Sequence, residues 1–209
     1  MQWFKSTTES QWGMTLVEAI VAVTIFTVAM LAITTGATRL YKLNGYMIAQ
    51  SYQVDYARRG MDLLVRDIRE MTYADDGAFP LAVMTEHEIG FYSDIDRDDN
   101  VEYIEYELIG TGSTTLQKRV YNSSGTAPFY DFSTPDETYT LSEYVQNSIF
   151  GSSTFVYYNG NGATASSATP ITDIRYIEAQ IIVNVDPIRD PGQYMLRSSA
   201  ALRNLKDNL

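Results

Sequence analysis

The chain has 209 residues, a net charge of −11 and 16 tyrosines. The absence of cysteine excludes a disulfide framework and a thiolate metal site. Residues 1–74 carry seven Lys/Arg and six Asp/Glu, the remainder eight and twenty; an acidic distal part disfavours binding to nucleic acid.

Residues 1–13, "MQWFKSTTESQWG", form a short polar leader. Residues 14–38 follow as "MTLVEAIVAVTIFTVAMLAITTGAT", 25 residues with one charge, Glu18. A bilayer core of about 30 Å needs about 20 such residues in a helix. Apolar residues lie all round this helix, unlike a surface amphipathic one. The run is also longer than a signal-peptide core, which spans about 7–15 residues. A carboxylate one turn inside a membrane segment is costly, so it points to a function and a partner.

Residues 39–74 continue without proline. Leu40, Leu43, Met47, Val54, Ala57, Met61, Leu64, Ile68 and Met71 recur at steps of three, four and seven, one face of an amphipathic helix. The pattern predicts one helix from Met14 to Ala74, weakened at Gly45 and Gly60, where bends are expected. "DDGAFP" at 75–80 ends it.

Residues 75–209 change to a period of two. Strands are expected at Glu88–Tyr92, Val101–Ile109, Thr115–Tyr121, Thr154–Tyr158, Ile174–Val185 and Tyr194–Arg203. A short helix is expected at Leu141–Gln146. The predicted class is α+β: a long N-terminal helix packed through its apolar stripe on an antiparallel sheet.

The order Gly13-Met14-Thr15-Leu16-Val17-Glu18, then an apolar helix, an amphipathic continuation and a sheet, resembles the type IV pilin-like proteins. The resemblance implies cleavage by a prepilin peptidase between Gly13 and Met14, N-methylation of Met14, and Glu18 as the assembly residue, fifth in the mature chain. Trp12 and Met14 depart from the residues most often found there, Lys or Arg before the glycine and Phe after the cut. In a fibre, Glu18 would pair with the Met14 amine of a neighbour. A buried charge pair is costly unless both partners are present, so it acts as a register device.

The distal part looks like the minor pseudopilins of the J and W types, on "MDLLVRDIRE", "GFYSDIDRDDNVEYIEYEL", "LQKRV" and "LRSSAALRNL". The implied role is structural: a subunit that helps initiate or cap a type IV pilus or type II secretion-like pseudopilus. The implied partners are other pilin or pseudopilin subunits and an inner-membrane assembly platform. The implied topology is a single membrane pass with the leader cytoplasmic and the domain outside. The alternative is a membrane-anchored extracytoplasmic binding domain, with calcium-dependent binding as one form of it, that never enters a fibre.

"DIDRDDNVEYIE" follows the spacing of a twelve-residue calcium loop. If it binds Ca²⁺, the ligands are Asp94, Asp96, Asp98, Glu105 and the Asn100 carbonyl, with Asp99 where such loops carry glycine. The favoured reading is a polar hairpin tip between strands. His87, the single histidine, lacks partners for a metal site or triad and reads as a surface or strand-edge residue. Lys118–Arg119 is the one basic pair of the region. The tyrosines fit strands better than a binding surface. No enzyme motif is found, and catalysis is not expected.

Overall fold

The computed structural model describes residues 13–98, 100–110, 112, 114–127, 129–166, 169–186 and 192–202. The leader before Gly13, Trp12, Asp99 and the terminal residues from Arg203 lie outside the described residues. The fold is α+β: one 54-residue helix, α1 (Leu16–Arg69), and antiparallel sheets. By internal contacts the chain divides into residues 1–45 and residues 46–209.

In the first unit every described residue from Gly13 to Gly45 is exposed except the half-buried Ala37. By length and composition this part of α1 is apolar enough to cross a membrane. Its threonines do not contradict that. Thr24, Thr27, Thr34 and Thr35 each donate their hydroxyl to the carbonyl four residues back, at 2.5–2.8 Å, and Thr38 does so to Thr34 at 2.9 Å. A hydroxyl bonded to its own helix asks nothing of an apolar surrounding.

In the second unit two sheets cover the C-terminal part of α1. The first has the order β1 (Leu81–Met84), β2 (Glu88–Ser93), β3 (Glu102–Ile109), β4 (Thr115–Tyr121), β5 (Glu137–Ser142). The second is β6 (Phe155–Asn159), β7 (Ile174–Val183), β8 (Tyr194–Ala201). All neighbours are antiparallel, and a bridge between Val145 and Val183 links the two sheets.

Strand alternation decides what meets the helix. Ile89 and Phe91 of β2, Ile104, Tyr106 and Leu108 of β3, and Leu116 of β4 form one buried cluster with Ala57, Met61, Leu64 and Ile68 of α1. Phe91 and Tyr106 stack with ring centroids 6.0 Å apart. The reverse face carries a second cluster, Tyr92, Tyr103, Tyr121 and Tyr130, with Ala74 and Phe129.

The predicted stripe is therefore core from Ala57 onward. Its earlier members Leu40, Leu43 and Met47 are 43–68% exposed. Between them, polar residues hold the helix. Gln50 donates to the Val183 carbonyl at 3.1 Å and accepts from the Val185 amide at 2.9 Å, and the Tyr46 hydroxyl reaches Asn184 at 3.2 Å. Gly60 is a site of close approach and not a helix break: a Cβ there would lie 2.9 Å from the Leu141 Cβ. Gly45 has no such neighbour.

Several predicted boundaries are corrected. The helix starts at Leu16 and ends at Arg69, short of Ala74, because Met71 pairs with Ser93 and the Thr72 amide donates to the Tyr92 carbonyl at 3.0 Å. The helix expected at Leu141–Gln146 is absent. There β5 ends at Ser142, Tyr144 takes a left-handed φ of 57°, and Val145 joins the second sheet. Strands β1 and β5 were not expected.

Candidate functional site

The N-terminal site is built by local chemistry. Residues 13–15 are non-helical and exposed, so the Gly13–Met14 peptide lies outside the helix. Thr15 precedes the first helical residue. Its Oγ1 accepts from the Glu18 amide at 3.3 Å. The Glu18 carboxylate reaches back, and its Oε2 accepts from the Thr15 amide and from the Thr15 hydroxyl, each at 3.0 Å. This is a reciprocal capping box, Thr-x-x-Glu, which satisfies two orphan donors of the helix start. The sequence signal for it is "TLVE", a capping pattern ahead of an apolar run. Met14 is 65% exposed.

The acidic turn between β2 and β3 gathers a different set of carboxylates from the one the spacing gave. Oxygens of Asp94, Asp96 and Glu102 all lie within 4.8 Å of one another. Each carboxylate also accepts a backbone amide: Glu102 from Ile95 at 2.9 Å, Asp94 from Arg97 at 2.7 Å, Asp96 from Asp98 at 3.2 Å. Asp98 caps the Asn100 amide at 2.6 Å. Arg97 supplies the left-handed residue, with φ 63°.

Glu105 is elsewhere. It sits inside β3, bonds Arg119 at 3.1 Å and accepts from the Tyr121 hydroxyl at 3.3 Å. β3 starts at Glu102, so strand geometry and not loop geometry places Glu105. Glu102 is buried at 4% exposure, and that burial, with Asp96 and Asp94 beyond it, pushes its carboxyl above the usual range.

The pair Lys118–Arg119 does not form a basic patch, because successive side chains of β4 face opposite ways. Lys118 points to the core and bonds Asp67 of α1 at 2.6 Å. Arg119 points outward and binds Glu105 at 3.1 Å and Glu107 at 2.8 Å. Glu88 joins that outer group, and burial together with Glu105 and Glu107 raises its carboxyl.

His87 is half-buried, with Nδ1 3.0 Å from the Thr154 hydroxyl. Of the tyrosines, Tyr92, Tyr103, Tyr121 and Tyr130 pack ring against ring, and burial pushes the Tyr130 phenol up to about 12. These four are core, not a binding surface.

The architecture is pilin-like: a long, apolar N-terminal helix whose distal part packs on antiparallel sheet. Comparison with known proteins gives no match, whether with protein-family models, curated proteins or solved structures.

Proposed function

We propose that this chain is a minor pilin or pseudopilin subunit. It helps initiate or cap a fibre of the type IV pilus or type II secretion kind, by helix packing and without catalysis. One observation carries this reading. The N-terminal part of α1 exposes Leu16, Val17, Ile20, Val23, Ile25, Phe26 and Leu31 at 59–76%, while the distal part of the same helix is the core of a sheet domain. A domain does not leave such a surface to water. Lipid covers it before assembly, and helices of neighbouring subunits cover it afterwards.

Glu18 then makes the assembly contact with a neighbour's Met14 amine, once a prepilin peptidase has cut after Gly13 and Met14 has been methylated. The other partners are the inner-membrane assembly platform and sister subunits. The leader faces the cytoplasm and the β-rich domain lies outside.

The test is mass spectrometry of the chain made together with a cognate peptidase. A methylated N-terminal Met14 is expected. Gly13→Val should leave the leader in place, since a pocket that fits glycine excludes a branched side chain. An intact Met1 in the wild type would overturn the reading in favour of a membrane-anchored domain that never enters a fibre.

A further inference from the structure

Two strand edges meet at one end and border a cleft. The Glu86 carbonyl, in the turn after β1, accepts from the Thr154 amide at 2.7 Å and from the Phe155 amide at 3.0 Å, where β6 begins. Past that joint lies a cleft of about 390 Å³, lined by Met84, Thr85 and Glu86 on one side and by Phe155, Tyr157 and Ala165 on the other. Ligand sites span roughly 300–1,000 Å³. The Tyr157 hydroxyl donates to the Thr85 carbonyl at 3.0 Å and to the Glu88 carbonyl at 3.1 Å, which braces one rim against the other.

Both rims carry unused backbone groups. In an antiparallel pair, residues alternate between bonding the neighbouring strand and facing away from it. The Thr85 amide donates to the Glu88 carbonyl at 3.0 Å, so Val83 is the next residue to bond β2, and Met84 between them turns its amide and carbonyl to the free edge of β1. On β6 the Thr154 carbonyl accepts from the Gln180 amide at 2.8 Å, so Phe155 and Tyr157 turn away from β7. The Phe155 amide is taken by Glu86, and the Tyr157 carbonyl by the Ala165 amide at 2.7 Å. Among the described residues, the Met84 amide and carbonyl, the Phe155 carbonyl and the Tyr157 amide have no partner. Donors and acceptors spaced along facing strand edges are what an extended backbone satisfies. The exposed Glu86 carboxylate on the rim is likewise unpaired among the described residues. The chain from Asp75 onward, with twenty Asp/Glu against eight Lys/Arg, favours a basic partner.

We propose that this cleft takes up, by strand addition, an extended segment of another protein that carries a lysine or arginine. Backbone bonds to Met84 and Tyr157 hold the segment, and Glu86 meets its cation. Neither the membrane helix nor Glu18 takes part.

The experiment uses the full chain in detergent micelles and three end-capped peptides of alternating valine and threonine. One has a central lysine, one a central glutamate, and the third is the lysine peptide N-methylated at alternate amides. The lysine peptide should slow exchange of the Met84 and Tyr157 amides about tenfold or more, as bonding into a ladder does. It should bind about fivefold more tightly than the glutamate peptide at low salt, a difference that shrinks as salt is added. The N-methylated peptide should not bind. Glu86→Gln should bring the lysine and glutamate peptides together. Met84→Pro removes the amide that faces the cleft but no bond to β2, at an edge position where proline is tolerated, and should abolish binding. Met84→Ala, which keeps that amide, should not. Binding of the N-methylated peptide, unchanged exchange at millimolar lysine peptide, or equal affinity for lysine and glutamate peptides in the wild type would each overturn the proposal, and none of these depends on how the proline variant folds. So would Met84 and Tyr157 amides that already exchange as slowly as paired strand residues before any peptide is added, since the chain would then fill its own cleft.

Discussion

Asp67 of α1 and Lys118 of β4 meet at 2.6 Å with almost no access to water: their side chains are 0% and 4% exposed. The Tyr106 hydroxyl donates to the same Asp67 oxygen at 2.7 Å, and Arg66 approaches the other oxygen at 3.5 Å. Burial beside the Asp67 carboxylate pushes the Tyr106 phenol well above its usual range. This is the polar anchor between helix and sheet, and its Tyr106 belongs to the same buried cluster as Leu64, Ile68, Phe91 and Ile104.

Removing one partner should hurt more than removing both. Lys118→Met leaves a buried carboxylate with only the largely exposed Arg66 near it, and should cost up to about 3–5 kcal/mol, a large part of a domain's stability. Asp67→Asn with Lys118→Met removes both charges and keeps an acceptor for Tyr106. It should recover more than half of that loss. Urea denaturation of a fragment beginning at Lys42 measures both. Equal losses in the single and double variants would show that packing, not charge, sets the cost.

Gly90 of β2 is required by space. A Cβ there would lie 2.1 Å from the Tyr103 hydroxyl oxygen, 2.9 Å from its Cζ and 3.1 Å from the Val83 Cβ. Tyr103 has little room to withdraw, because its ring touches Tyr92, Tyr121 and Phe132 at centroid distances of 4.9–5.7 Å. Gly90→Ala should therefore cost about 1–3 kcal/mol, the usual range for overpacking. Adding Tyr103→Val should remove most of that cost and leave the tight Val83 contact, a non-additivity read from a double-mutant cycle.

The elements with a clear period were legible in the sequence. Helix α1 and strands β2, β3, β4, β6, β7 and β8 are legible because their apolar, β-branched and aromatic residues recur at fixed spacing or in runs bounded by turn residues. Strand β5 did not, since four of its six residues are exposed and its sequence, "ETYTLS", buries almost nothing. The false helix at Leu141–Gln146 fell where local pattern lost to pairing between sheets. There the Asn147 side chain accepts from the Ile182 amide at 2.8 Å and donates to the Gln180 carbonyl at 2.9 Å. Asp67 is not legible as a core residue, because a charge within an amphipathic repeat reads as solvent-facing; only the strand opposite, through Lys118, shows its cation. The change from Glu105 to Glu102 in the acidic turn depended on where β3 begins, which spacing alone does not fix.

The distal half of α1 should be indispensable to the domain. Ala57, Met61, Leu64 and Ile68 are 0–3% exposed, and Gln50 adds one hydrogen bond to the last residue of β7, Val183, and one to Val185 just past it. Burying each large aliphatic side chain contributes about 1.5–3 kcal/mol, so the three beyond Ala57 approach the whole margin of about 5–15 kcal/mol. A fragment beginning at Lys42 should melt cooperatively, and one beginning at Asp75 should not. Equal cooperativity in calorimetry would mean that the sheets hold without the helix.

Glu102 gives a pH signature with a definite sign. Its folded-state carboxyl is raised, first by burial and then by Asp96 and Asp94, against the stabilising amide of Ile95. The folded chain therefore binds this proton more tightly than the unfolded chain does. Between the unfolded and the raised folded values, stability contributed by this group falls as pH rises. Above both values the ionised carboxylate is a standing cost. Glu102→Gln keeps an acceptor for the Ile95 amide and removes the charge. With divalent cations chelated, it should raise the melting temperature at neutral pH, and the gain should shrink as the pH falls through the raised folded value and be gone once it is below the ordinary carboxylate range. Melting curves at several pH values, with chelator and then with millimolar Ca²⁺, check this. A calcium ion held by Asp94, Asp96 and Glu102 would reverse the sign in the second set, because the variant would then lose a ligand and with it the stabilisation that binding to the folded state confers. If the turn is only a polar hairpin tip, the variant stays the more stable one in both.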